Sequence, residues 1–239
     1  MKRTIHTILN AAVLIALLVG LGAMLPVQGM AKTVKPKAPK ATVTPVPAQD
    51  IHLALAKESK LWLEGNSTLH PFKADATLME ASFEVSQAGL GKAKNAAELF
   101  HKIIDAGAVK KFTLNITVLG LKSGDEGLDK NMYPALKADK NPVIKFELQN
   151  YQASPLTATA QGAMFVASEG KLTIGGKENA IKMSPKVSVG DDGIHIAGSQ
   201  EVIMTDYGIQ PPSMMFVINV DKKVVIKFDL LVRLQKTEK

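Results

Sequence analysis

Val224-Val225-Ile226-Lys227-Phe228-Asp229-Leu230-Leu231-Val232-Arg233-Leu234-Gln235 reads as one long β-strand. Val224, Ile226, Phe228, Leu230, Val232 and Leu234 fall on every second position, while Lys227, Asp229, Arg233 and Gln235 stand between them. Successive side chains of a strand point to opposite faces, so this spacing gives one wholly apolar face and one mixed face.

The period of two recurs on the N-terminal side. Phe112, Leu114, Ile116 and Val118 alternate with Lys111, Thr113, Asn115 and Thr117, and Ile144, Phe146 and Leu148 alternate with Val143, Lys145 and Glu147. Ile181, Met183, Val187 and Val189 share one phase, interrupted by Pro185; a residue without an N–H predicts an edge or a bulge there. Ile194 and Ile196 flank an outward His195. Further strands are predicted over Lys60 to Glu64, Phe72 to Phe83, Phe165 to Ile174 and Gln200 to Thr205, with turns at Gly65-Asn66, Gly175-Gly176 and Asp191-Asp192-Gly193. About eight strands with one apolar phase each predict an all-β fold, an antiparallel sheet closing on itself into a barrel. Two stretches have helical spacing instead. Asn95 to Ala106 carries Leu99, Ile103 and Ile104 behind an Asn95 cap, with Gly107 as its stop. Leu128, Met132 and Leu136 predict a second short helix, with Pro134 near its start or kinking it. The two helices are expected to cover one end of the barrel.

Before Ile51 the composition changes. Met1 to His6 is positive, Ile8 to Leu25 is apolar, and Pro26 to Ala31 ends in small residues, the order of a signal peptide cleaved after Ala31. The apolar run is nearly long enough for an uncleaved anchor, the second reading; both place the remainder outside the cytoplasm, periplasmic or secreted. Residues 32–50 hold Pro36, Pro39, Pro45 and Pro47 among Lys, Ala, Thr and Val, an extended tether whose lysines could touch anionic headgroups. The domain organisation is thus a signal peptide over 1–31, a tether over 32–50 and one β-barrel domain over 51–239. The formal charge of +7 resides largely in these leading segments; removing Lys2, Arg3, Lys32, Lys35, Lys37, Lys40 and Asp50 leaves about +2. Arg233 is the only arginine after Arg3, so a nucleic-acid face is not expected. The absence of cysteine excludes disulfides, thiolate metal sites, cysteine nucleophiles and a lipidated cysteine anchor.

An ordered series of segments resembles the YceI-like proteins, secreted bacterial proteins of lipocalin-like barrel architecture. The series runs Ser59-Lys60-Leu61-Trp62-Leu63-Glu64-Gly65-Asn66-Ser67-Thr68-Leu69-His70, then Phe112 to Ser123, then Asn141-Pro142-Val143-Ile144-Lys145-Phe146. It continues with Gly170-Lys171-Leu172-Thr173-Ile174-Gly175-Gly176 and closes on Met204-Thr205-Asp206-Tyr207-Gly208-Ile209, with Pro211 and Pro212 after it. The resemblance covers roughly Lys57 to Leu234. It implies an extended antiparallel barrel with a long internal pocket, and a ligand that is a polyisoprenoid or another long-chain amphiphile. One departure stands out. Where many members carry Arg-Asp-x-His-Leu, this chain reads Leu128-Asp129-Lys130-Asn131-Met132, so no headgroup contact by that arginine or histidine carries over.

Catalytic and metal signatures are missing. There is no Gly-x-Ser-x-Gly elbow, and His52, His70, His101 and His195 lie in separate segments without metal-ligand spacing. Asp125, Glu126 and Asp129 lack the order of a calcium loop. His70 before Pro71 is a candidate for the barrel mouth, and Tyr207 for a turn. An eight-stranded barrel can be filled by its own side chains or hold one ligand, and strand count does not choose between them. With the resemblance, the expectation is a non-enzymatic protein that binds, transports or sequesters a long-chain amphiphile. It needs no cofactor and is a monomer or a homodimer. The alternative is a packed barrel serving as a structural or interaction protein of the envelope. The expected pocket lining is Trp62, Phe112, Leu114, Ile144, Phe146, Met183, Ile226 and Phe228, and methionine there suits a flexible ligand.

Overall fold

In a computed structural model, residues 51–155, 163–211, 213–214 and 218–235 are described. The expected signal peptide and tether lie outside these residues, as do Pro212, Met215 and Phe216. The strand segments are β1 Leu53–Leu55, β2 Lys60–Ser67, β3 Pro71–Ala76, β4 Met79–Val85, β5 Val109–Thr117, β6 Leu121–Lys122 and β7 Val143–Pro155. They continue with β8 Ala163–Ile174, β9 Lys177–Met183, β10 Lys186–Gly190, β11 Gly193–Ile203, β12 Ser213–Met214 and β13 Ile218–Leu234. Helix α1 spans Ala96–Asp105 and α2 spans Glu126–Ala135.

Every pairing is antiparallel, and the hydrogen-bonded path runs β4-β5-β7-β8-β10-β11-β13-β2-β3-β6. Each end of this path continues the strand beside the other end, because β3 passes into β4 through Thr77 and Leu78 while β5 passes into β6 through Val118–Gly120. Thr77 N donates to Gly120 O at 2.8 Å and Thr117 N to Leu78 O at 3.1 Å, carrying the ladder across both bends. The sheet therefore closes on itself. Thirteen segments are more than the expected eight because four strands are bent: β1/β2, β3/β4, β5/β6 and β9/β10 each form one rung, and β12 is a two-residue addition to β13. Neighbours in sequence are neighbours in the ring, and β13 returns to β2. This is the up-and-down order of a lipocalin-like barrel.

Local chemistry explains the bends. Pro185 separates β9 from β10, and its carbonyl still accepts from Val166 N at 3.0 Å. Gly175 and Gly176, at φ 56° and 81°, make the tight turn from β8 to β9 that their sequence predicts. Gly65-Asn66, in contrast, is not a turn. Both lie inside β2, paired with Phe72 and Pro71, and the chain reverses over Thr68-Leu69-His70. The predicted strand over Gln200 to Thr205 ends at Ile203, where a single tight helical turn of Met204–Tyr207 begins.

The helices differ in how they are held. Asn95 caps α1 by accepting from Glu98 N at 2.8 Å, and Leu99, Phe100, Ile103 and Ile104 are buried. They pack with Leu53, Met164, Val187, Ile194 and Val232, closing one end of the barrel. Helix α2 meets a second apolar cluster that includes Ile144, Leu172, Ile174 and Tyr207, so the two helices sit at opposite ends and not together. Pro134 lies in the last turn of α2, where its missing N–H costs one bond near the terminus rather than kinking the middle. No residue of α2 is buried.

Candidate functional site

The inward phases of the rungs enclose a cavity of about 270 Å³. Phe112 and Leu114 reach it from β5, Ile144 and Phe146 from β7, Met183 from β9, and Ile226 and Phe228 from β13. These seven expected lining residues share one lumen. Leu114 and Ile144 are buried, whereas Phe112, Phe146, Met183, Ile226 and Phe228 are half-buried although the sheet surrounds them, because part of each faces the void.

Trp62 is the exception. Leu61 and Leu63 are the inward residues of β2, so Trp62 stands on the outer face. Its Nε1 donates to Glu64 Oε1 at 2.7 Å, and the Lys73 ammonium lies 5.3 Å from its ring centre. The alternation Lys60-Leu61-Trp62-Leu63-Glu64 contains this answer, since the tryptophan shares the phase of the lysine and the glutamate.

Aromatic rings run across three strands of the wall. Phe83 and Phe112 stack at 4.9 Å, and Phe112 meets Phe146 edge-on at 6.0 Å. Other lining residues were hidden in the sequence. A register shift between Leu148 and Asn150 reverses the phase of β7, so that Tyr151 faces inward with Leu148. Gln200 and Ser168 also face the lumen, and both could have been found by continuing the phases of Ile194-Ile196 and of Leu172-Ile174. Leu128, Asn131 and Met132 of α2 complete the lining.

The lumen carries no charged side chain among the described residues. Its polar groups are largely used by the wall: Ser168 Oγ donates to Val166 O at 3.0 Å, Gln200 Nε2 to Glu201 O at 2.8 Å, and Tyr151 Oη accepts from Val109 N at 3.1 Å. Burial pushes the phenols of Tyr151 and Tyr207 above the ordinary tyrosine range, the mark of a poorly hydrated interior. Tyr207, expected only at a turn, is buried and lines the cavity. His70 is exposed beside the β2–β3 reversal, with Nδ1 2.9 Å from Pro71 O, and is not part of the lining.

The outer face has the opposite character. Lys227 pairs with Glu64 at 2.7 Å, Lys145 with Glu147 at 2.9 Å, Lys171 with Glu178 at 2.8 Å and Lys182 with Glu169 at 2.6 Å. Exposed pairs of this kind add little stability. They do establish which face meets water: a membrane-spanning barrel presents an apolar outer band, and these strands present lysine and glutamate. No three histidine, aspartate or glutamate side chains converge as metal ligands among the described residues.

The model of the YceI-like domain family matches residues 72–232. BcnA of Burkholderia cenocepacia is similar in structure, with 17% identity, coverage of 74% of this chain and 96% of that one, and a TM-score of 0.51. A polyisoprenoid-binding domain from Saccharophagus degradans, implicated in plant cell wall breakdown, is similar at 13% identity, covering 78% of this chain and 100% of that one, with a TM-score of 0.56. At these identities the likeness is one of fold. No curated protein matches the chain.

Proposed function

The chain belongs to the family of YceI-like domains, and from that premise we propose that it is a non-enzymatic carrier that holds one long-chain apolar lipid, of the polyisoprenoid class, inside its barrel. The observation that carries the reading is the closed sheet around a cavity of about 270 Å³ whose lining is overwhelmingly apolar and, among the described residues, carries no charged side chain. Removing apolar surface from water contributes roughly 25 cal/mol per Å², so a prenyl or acyl chain is retained there without an ionic anchor. A charged or strongly polar substrate would lose its hydration and find few unused partners. The name of the Saccharophagus domain points to the same ligand class.

The ends of the barrel suggest a direction of loading. Helix α1 is a buried plug, whereas α2 lines the lumen with no residue of its own buried. The ligand passes at the α2 end, with its chain inside and its headgroup outside. The leading segment of 31 residues directs the protein to the periplasm, and the lysine-rich tether keeps the barrel near an anionic membrane surface.

Native mass spectrometry of the mature protein, purified from its own periplasm without detergent, tests the proposal. An added mass of several hundred daltons that partitions into organic solvent is expected. An unliganded protein that also refuses added prenyl alcohols would overturn the carrier reading and favour a packed interaction module.

A further inference from the structure

Three positions in the inward phase of the wall carry no side chain. Gly65 follows Leu61 and Leu63 on β2, Gly170 stands between Ser168 and Leu172 on β8, and Gly198 between Ile196 and Gln200 on β11. A lumen-lining phenylalanine from the adjacent strand lies over each: Phe72 over Gly65, Phe146 over Gly170 and Phe228 over Gly198. Gly65 and Phe72 are direct partners in register, as are Gly198 and Phe228, and Phe146 reaches Gly170 diagonally.

None of the three glycines has a left-handed backbone, so conformational freedom does not explain them. Space does. A β-carbon at Gly65 or Gly170 would collide with the ring outright, and at Gly198 it would stand 2.9 Å from Phe228 Cζ. A glycine within a strand weakens it, and marks a place where another group must come close. Here the group is a ring that would otherwise stand up in the lumen.

We infer that Gly65, Gly170 and Gly198 set the bore of the cavity by letting Phe72, Phe146 and Phe228 lie along the wall, and that this bore selects methyl-branched chains over straight ones. The inference rests on the carrier reading. Because the lining carries no charged side chain among the described residues and is overwhelmingly apolar, shape is the main discriminator along the hydrocarbon part of a ligand. A branched chain is wider at each methyl, and one methyl group too many in a closely fitting apolar site changes affinity by about 10- to 200-fold.

The test uses Gly65→Ala and Gly198→Ala in the full chain; Gly170 is avoided because Glu147 O would also lie 2.8 Å from a new β-carbon. Delipidated proteins are titrated with phytanol and with hexadecanol, which share a main chain and differ only in methyl branches. Both variants are expected to lose phytanol affinity by about tenfold or more relative to hexadecanol. The double variant Gly65→Ala/Phe72→Leu, which shortens the colliding ring, is expected to regain it. Equal loss of both alcohols, or no regain in the double variant, overturns the inference. A crystal structure of Gly65→Ala is the second readout: the Phe72 ring must move into the lumen, and an unmoved ring overturns the bore argument by itself. If the wild-type protein takes up neither alcohol, the carrier reading fails, and the ring position still decides whether the glycines shape the cavity.

Discussion

Phe146 touches both the aromatic row of the wall and the lumen, so a charge placed there faces apolar surface and meets no opposite charge among the described lining residues. Phe146→Asp is expected to abolish lipid retention while far-ultraviolet circular dichroism still shows the sheet; a folded variant that keeps its lipid would remove Phe146 from the lining. Trp62 gives the complementary prediction. It is the only tryptophan, and its indole faces Glu64 and Lys73 outside the barrel. Its fluorescence should therefore report unfolding in urea but stay nearly constant as the cavity is loaded, and a large change on loading would contradict this placement. The contrast between these residues shows what was legible. The inward phase of Phe112, Leu114, Ile144, Phe146, Met183, Ile226 and Phe228 follows from alternation alone. The outward place of Trp62, contrary to its expected place in the lining, follows from the same alternation, because Leu61 and Leu63 on either side hold the inward phase. Tyr151 was not legible, because a bulge leaves no mark in the alternation until its partner strand is known.

Two helices of ten residues close the two ends by different physics. Helix α1 is held by packing: Ile103 is fully buried, and Ile103→Ala should cost about 2–5 kcal/mol, read as a lower urea midpoint with unchanged slope. Helix α2 is held by polar contacts. Asp125 accepts from Leu128 N at 2.9 Å, Asp129 accepts from the Ser123 hydroxyl at 2.6 Å and from Ser123 N at 2.9 Å, and Tyr133 Oη donates to Leu121 O at 2.9 Å. The Ser123 hydroxyl, more than any other group, holds the Asp129 carboxyl below its ordinary value of 3.8. A depressed folded value means that this contribution is complete above pH about 3.8 and is lost as the pH falls through the folded value. Amide exchange in α2, corrected for the intrinsic pH dependence of exchange, should therefore be steady from neutral pH to about 4 and rise below it. Asp129→Asn should exchange faster at neutral pH and show no such step. An identical pH profile in the variant would remove Asp129 from the contacts that hold α2. Asn95 and Gly107 announced α1 in the sequence, since a cap and a stop are local. The seating of α2 depends on β6 and on the turn at Ser123, which local spacing does not encode.

A barrel closed by hydrogen bonds around its whole girth should stand without its ligand, and the ligand should add to it only by mass action. The return of β13 to β2 and the ladder across Thr77 and Gly120 join the rungs through backbone alone, with no lipid needed to bridge an edge. The number of rungs could be foreseen from the alternating stretches and their turn residues. Pro185 marks the bend between β9 and β10, but the bends at Thr77-Leu78 and at Val118–Gly120 leave no such mark, and alternation alone does not give the cavity. Alternation specifies which face is apolar, but whether facing side chains meet across the barrel depends on strand tilt and stagger. A void of this kind makes a definite thermodynamic statement. A ligand that binds the folded state alone, present at about one hundred times its dissociation constant, stabilises by about 2.7 kcal/mol. For a domain of this size each kcal/mol moves the midpoint by about 2–4 °C, so stripping the lipid should lower Tm by roughly 5–10 °C while circular dichroism at room temperature stays unchanged. The lowered Tm should then climb with the logarithm of added lipid. A barrel that collapses on delipidation would show that the ligand is a structural part of its core. A Tm indifferent to lipid would show that the lumen holds none.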